Sequence, residues 1–148
     1  VDDPANAVRG MAAARQYGDV APGAHHARHM TSHIFIARGM WDDVVDANRR
    51  AVAAAPRFAG HYVQWLIYGL LQQGRPLEAR AWTDSMLALA REPAPPDDGQ
   101  LRPVRATLVP RFAAQWVMDA QAWDDSLAHL RFDLAALPPP AHALAWFH

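Results

Sequence analysis

The stretch that decides the fold runs from residue 24 to residue 56 and reads AHHARHMTSHIFIARGMWDDVVDANRRAVAAAP. Its apolar residues recur at intervals of three and four on both sides of Gly39, which is the spacing of amphipathic α-helices. Glycine commonly ends a helix and proline cannot continue one, so Gly39 and Pro56 mark two helix ends. The stretch therefore predicts two helices, over 24–38 and 42–55, joined by a short turn.

The rest of the chain repeats this pattern of Ala-rich segments between Pro and Gly residues. No segment alternates apolar and polar residues for long enough to form a strand, so we predict an all-α fold with about seven helices. We expect Asp3 to cap the first helix, which should end before Gly18, and Pro110 to kink or split the sixth. The other helices are predicted over 4–17, 59–73, 76–90, 101–120 and 123–137, with a short last helix after the triple proline.

The composition limits the classes of function. The chain has 148 residues, of which 51% are hydrophobic and 20% charged, and this favours a single folded domain over a disordered segment. Its 14 basic residues, all Arg, nearly balance 15 acidic residues, which argues against nucleic-acid and membrane-surface partners. The lack of Cys excludes thiolate metal sites and Cys nucleophiles, and the lack of Lys excludes Schiff-base chemistry. No apolar run approaches the roughly 18 residues that span a bilayer.

Features of the sequence also recur at a fixed period. Gly39 and Gly74 are 35 residues apart, and Trp41-Asp42-Asp43 recurs as Trp123-Asp124-Asp125. Two antiparallel helices in about 34 residues, with a turn Gly and a terminal Pro, resemble the tetratricopeptide repeat. The resemblance implies antiparallel helix pairs stacked in a right-handed superhelix. Its units are a half repeat (1–22), two repeats (23–56 and 57–92), a degenerate repeat (97–137) with Ala122 in place of the turn Gly, and a C-terminal segment (138–148).

A narrower resemblance covers residues 25–48. The run HHARHMTSHIF followed by GMWDD is similar to a segment of large, uncharacterised bacterial tetratricopeptide-like proteins with a His-rich motif. Those proteins carry a second His-rich segment upstream, which this chain lacks. Together with Val1 as the first residue, the resemblance implies that the chain is a piece of a longer protein. It implies no particular activity, compartment or oligomeric state.

The repeat resemblance assigns three positions in the first helix of each repeat to a concave groove. Inward positions such as Phe35, Leu66 and Leu70 are mostly apolar and groove positions mostly polar, as stacked repeats require. The resemblance thus implies a scaffold that binds a protein, a peptide or a small ligand in the groove and has no chemistry of its own. The groove positions are His26, His29 and His33, then His61, Gln64 and Tyr68, and in the degenerate repeat Leu108, Arg111 and Gln115.

Four of the eight His residues lie within residues 25–33. His26, His29 and His33 share one helix face because they are spaced at i, i+3 and i+7, and His25, His29 and His33 form a second stripe at i, i+4 and i+8. Either set could offer two imidazoles to one metal ion. Because zinc takes three or four ligands, a site for a divalent metal such as zinc on His26, His29 and His33 needs a ligand from elsewhere, and His61 is the nearest candidate. The chain would then be a His-liganded metal-binding protein, alone or as part of a metalloenzyme. A ligand-binding face and a groove of His bonded to their neighbours are the two other interpretations.

The repeated Trp-Asp-Asp motif favours structural roles. We expect Trp41 and Trp123 to act as packing wedges at the starts of helices. The Asp pairs that follow them should lie in first helical turns, where a carboxylate gains roughly 0.3–1 kcal/mol from the helix dipole. No phosphate loop, dinucleotide fingerprint or nucleophile elbow is present in the sequence, so an enzymatic activity is not indicated.

Overall fold

A computed structural model of the chain describes residues 3–20, 22–55, 60–92, 107–132 and 137. These residues are largely helical and include no strand, which confirms the predicted all-α class. The chain divides into two compact units, residues 1–79 and 80–148, and each unit is described by itself. The described helices are α1 (Ala7–Val20), α2 (His25–Ala37), α3 (Trp41–Ala54), α4 (Gly60–Gln72), α5 (Pro76–Arg91), α6 (Leu108–Asp119) and a 3₁₀ helix (Ser126–His129).

The first four helices pack in chain order, α1 on α2, α2 on α3 and α3 on α4. Phe35 of α2 and Val44 of α3 belong to a common apolar core, which Trp41 packs against. Leu66 and Leu70 of α4 are fully buried, so the inward positions predicted for α2 and α4 are confirmed as buried. None of the described helices is both long enough and apolar enough to cross a membrane.

The same turn ends α2 and α4. After α2, the backbone N–H of Met40 donates to the Phe35 carbonyl at 2.9 Å, and the corresponding bond after α4 is also 2.9 Å long. Gly39 and Gly74 occupy the residue before these donors, with φ values of 66° and 69°. Glycine adopts this left-handed conformation without the steric cost of a Cβ atom. Both helix ends therefore follow from the glycines that the sequence places there.

Gln121 takes the place of the turn glycine after α6. Its φ is 53°, and the backbone N–H of Ala122 donates to the Val117 carbonyl at 3.0 Å. The expected substitution of the turn Gly by Ala122 is thus wrong by one residue. Gln121 precedes Trp123 by two residues, as Gly39 precedes Trp41. The turn after α6 therefore keeps the geometry of the turns after α2 and α4 but forms it with a residue that has a Cβ atom.

The first helix begins and ends later than predicted: α1 begins at Ala7, and residues 4–6, where the helix was expected to start, form a turn that Asp3 caps. Asp3 Oδ1 accepts hydrogen bonds from the N–H groups of Ala5 and Asn6, both at 3.1 Å. The predicted end before Gly18 is wrong, because α1 continues to Val20. A glycine inside a helix lowers helix stability by about 1 kcal/mol relative to Ala. The packing of α1 against α2 outweighs this cost at Gly18.

The helix predicted over 123–137 is wrong. In its place the described residues form a 3₁₀ helix of four residues, Ser126–His129, and residues 133–136 lie outside the described part of the chain. Asp125 has an extended ψ of 148°, and its side chain accepts a hydrogen bond from the N–H of Leu127 at 2.9 Å. A side-chain hydrogen bond thus satisfies the Leu127 N–H group in a region where α-helical backbone hydrogen bonds were expected.

Side-chain contacts explain why Asp125 departs from the helix. The Asp125 carboxylate pairs with the Arg80 guanidinium and accepts a hydrogen bond from the indole N–H of Trp116 at 3.2 Å. The second Asp pair therefore does not open an α-helix as the first does. Trp123 is 54% exposed and is not the packing wedge that was predicted.

The predicted sixth helix is described only from Leu108 onward. Pro110 is the third residue of α6, a first-turn position at which the backbone N–H has no partner within the helix in any case. The proline therefore costs α6 no hydrogen bond and does not kink it. Residues 97–106 of the predicted degenerate repeat and the predicted segment 138–148 lie outside the described residues. The predicted repeats 23–56 and 57–92 contain α2 with α3 and α4 with α5.

Candidate functional site

Seven ring-bearing side chains come together between α2 and α4, and we call them the His-aromatic cluster. His29 lies at its centre, with ring centres 4.5 Å from His61, 4.9 Å from Tyr62 and 5.4 Å from Trp65. The cluster consists of His25, His26, His29 and His33 from α2 and His61, Tyr62 and Trp65 from α4. Within each helix the spacing of these residues places their side chains on one face.

His29 is fully buried and is held by Asn48 of α3, which is also fully buried. The His29 Nδ1 atom lies 2.8 Å from the Asn48 side-chain oxygen. The Asn48 amide nitrogen donates to the Val44 carbonyl at 2.9 Å, which fixes the orientation of the amide group. Because the oxygen of Asn48 can only accept, His29 carries its proton on Nδ1 and keeps a lone pair on Nε2.

That lone pair faces His33. The Nε2 atoms of His29 and His33 are 3.2 Å apart, so in the absence of another ligand His33 donates its Nε2 proton to His29. The His33 ring also lies against Trp65, with ring centres 4.3 Å apart and an interplanar angle of 30°. The pair is therefore held in place by an amide behind His29 and by an indole beside His33.

Burial determines the charge of His29. Burial is the largest of the causes that lower the pKa of His29 from 6.5 to about 4; the hydrogen bond to Asn48 opposes it, and the neighbouring His61, His33 and His26 add smaller effects in the same direction as burial. His29 is consequently neutral at pH 7. A neutral imidazole can accept a hydrogen bond or bind a cation through its free nitrogen.

Tyr62 links the cluster to the beginning of α2. Its hydroxyl group lies 2.6 Å from the His25 Nδ1 atom, and burial raises the pKa of Tyr62. The Tyr62 ring centre is also 6.5 Å from that of His26. The cluster thus offers aromatic ring faces, one phenol and several imidazole nitrogens.

The structure brings together only some of the residues predicted to form the site. His26 and His61 are exposed at the edges of the cluster, whereas His29 is buried in its centre and His33 is half-buried. Gln64 is half-buried on α4. Tyr68 lies apart from the cluster, with its ring centre 5.7 Å from that of Trp41.

The three predicted groove positions of the degenerate repeat lie in the second unit, and the prediction for Leu108 is wrong, because its side chain is fully buried in the core. Arg111 and Gln115 are half-buried on α6, as predicted for one helix face, and the Gln115 side chain is hydrogen-bonded to Asp119.

The three-His metal site of the sequence analysis is not formed. Within the described residues, no three His, Asp or Glu side chains are placed to hold one metal ion. His29 and His33 approach closely, but the His26 ring centre lies 6.0 Å from that of His29, at the exposed edge of the cluster.

Asn48, Tyr62 and Trp65 are the site residues that the sequence analysis missed. Asn48 lies four residues after Val44 and three before Ala51, so it is a polar residue on the buried face of α3. That position was the available signal, because a buried amide is retained only when its hydrogen bonds are satisfied. Tyr62 precedes a predicted inward position and gave no comparable signal.

Comparison with known proteins identifies no relative of this chain: no protein-family model, no curated protein and no solved structure matches it.

Proposed function

We propose that this chain is a tetratricopeptide-like scaffold that binds a protein, peptide or small ligand on its His-lined face and performs no chemistry of its own. Two features of the fold support the superhelical part of the proposal. The helices α2 to α5 lie in the two predicted repeats, and Gly39 and Gly74 end the first helix of each with the same turn. A repeated turn of this kind is what stacked helix pairs require.

The observation that carries the proposal is the placement of a neutral, fully buried His29 beneath the exposed side chains of His26 and His61. Burying an imidazole costs free energy unless its polar atoms are used, and Asn48 and His33 satisfy it in the described state. The surface above His29 combines apolar ring faces with imidazole nitrogens. None of the cluster members has a carboxylate. Such a surface suits a peptide segment that has apolar side chains and free backbone hydrogen-bonding groups.

A peptide selection tests this proposal. Untagged protein is used to select binders from a random peptide library in buffer containing EDTA, and the affinity of selected peptides is measured by fluorescence anisotropy. We expect the double variant His26→Ala/His61→Ala to weaken binding by about tenfold or more, which corresponds to roughly 1.4 kcal/mol. His129→Ala, an exposed His of the second unit, is the matched control and should leave the affinity unchanged.

Two results would contradict the proposal. One is a selection that enriches no peptide. The other is binding that the double variant and the control variant retain equally, because the peptide would then lie away from the cluster.

A further inference from the structure

Two imidazole nitrogens of the cluster lie within hydrogen-bond distance of each other. The Nε2 atoms of His29 and His33 are 3.2 Å apart. Two nitrogens bound to one tetrahedral zinc ion at about 2.0–2.1 Å stand roughly 3.3 Å from each other. The pair therefore has the separation of two neighbouring metal ligands without any movement of the helix.

The orientation of His29 is also that of a metal ligand. A His that binds a metal through one ring nitrogen almost always donates the N–H of the other to an outer partner, which fixes the tautomer and the ring. Asn48 is such a partner, since its oxygen accepts from His29 Nδ1 at 2.8 Å and its own amide is fixed by the Val44 carbonyl. The lone pair of Nε2 consequently points toward His33 before any ion arrives.

From this geometry we propose that His29 and His33 bind one divalent transition-metal ion through their Nε2 atoms, with Asn48 as the positioning residue. The ion takes the place of the proton between the two nitrogens, and neutral His33 keeps that proton on its Nδ1 atom. Imidazole ligands suit zinc, copper or nickel better than magnesium or calcium. The remaining coordination positions belong to water.

This inference goes beyond the proposed function because it requires no peptide or small ligand. It also differs from the three-His site that the sequence predicted. His26, which is exposed at the edge of the cluster, takes no part, and Asn48, which is not a ligand, does.

Zinc titration tests the proposal. Protein prepared without a His tag and freed of metal with EDTA is titrated with zinc chloride by isothermal calorimetry, and we expect one ion per chain. His33→Ala should weaken binding by about tenfold or more, and Asn48→Ala by about 10–100-fold, the usual effect of losing an outer partner. Asn48→Asp, which still accepts the Nδ1 proton, should retain binding. His26→Ala and His129→Ala are the matched controls and should bind zinc as the wild-type chain does.

Several outcomes would overturn the proposal: no binding of zinc, copper or nickel by the wild-type chain, unchanged affinity in His33→Ala, or an equal loss in His26→Ala. Far-UV circular dichroism checks that each variant is folded. If Asn48→Ala unfolds, His33→Gln, which replaces a half-buried side chain, still tests the ligand pair, and Asn48→Asp still tests the positioning role. Because the peptide selection is performed in EDTA and the zinc titration without peptide, failure of one proposal is distinguishable from failure of the other.

Discussion

Leu66 and Leu77 are the same residue type in opposite surroundings. Leu66 in α4 is fully buried, whereas Leu77 in α5 is 88% exposed. We predict that Leu66→Ala lowers the free energy of unfolding by about 2–5 kcal/mol, because it removes buried methyl groups and leaves a cavity. Leu77→Ala, the matched control, should change it by less than about 0.5 kcal/mol. Urea unfolding followed by far-UV circular dichroism measures both. Equal effects of the two substitutions would mean that the assigned inward face of α4 is wrong.

Asn48 acts on stability through its partner. We predict that Asn48→Ala lowers the free energy of unfolding by about 1–3 kcal/mol, because it leaves the Nδ1 proton of buried His29 without an acceptor. Asn6→Ala is a suitable control, since the Asn6 side chain bonds only the exposed Asp3 carboxylate. The same unfolding measurement applies. A loss no greater than that of the control would show that water replaces the amide oxygen.

At the scale of the elements, the turns that end α2 and α6 differ in the residue type that takes the left-handed conformation. Gly39 and Gln121 both have positive φ values, 66° and 53°. A residue with a Cβ atom pays roughly 1–2 kcal/mol for this conformation, so we predict that Gly39→Ala destabilises the chain and that Gln121→Gly stabilises it. The two substitutions should therefore change the stability in opposite directions. Thermal unfolding midpoints of the two variants and the wild-type chain provide the measurement, and a destabilising Gln121→Gly would contradict the assigned turn.

The helices also differ in what holds their ends. The Asp42-Asp43 pair lies in the first turn of α3, where the free N–H groups favour negative charge. The equivalent Asp125 in the second unit instead pairs with Arg80 and with Trp116, and only a 3₁₀ helix follows. The same three-residue motif thus gives two structures because its long-range partners differ.

At the scale of the whole molecule, the stability of the chain should depend on pH through His29. Its pKa is about 4 in the folded chain and about 6.5 in the unfolded chain. Since the folded value is the lower one, protonation favours the unfolded chain. The contribution of His29 is fully present above about pH 6.5 and is lost as the pH falls towards 4. We predict that this group alone lowers the free energy of unfolding by about 2 kcal/mol between pH 7 and pH 5.

Urea unfolding at both pH values, with EDTA present, measures this dependence. His129→Gln should keep the wild-type difference because that side chain is exposed, whereas His29→Gln should remove most of it. A difference that His29→Gln leaves intact would assign the pH dependence to other groups.

The sequence by itself determined the fold class and most helix boundaries. The intervals between apolar residues are a local property, and Gly39 and Gly74 end their helices by their own backbone freedom, so no knowledge of distant contacts was needed. The same local reasoning located His29 and His33 on one face of α2, and the repeat resemblance assigned Leu66 to the core, where it is fully buried.

Only the tertiary structure decided how the candidate site is built. Asn48 selects the tautomer of His29 across 19 residues of chain, and α4 supplies His61, Tyr62 and Trp65 to the same cluster. The conformation of the second Trp-Asp-Asp motif likewise depends on Arg80, which lies 45 residues from Asp125 in the chain. These are contacts between residues far apart in the chain, and neither periodicity nor propensity carries information about them. The sequence therefore indicated which side chains share a helix face, whereas burial and long-range hydrogen bonds set their charge, their tautomer and their partners.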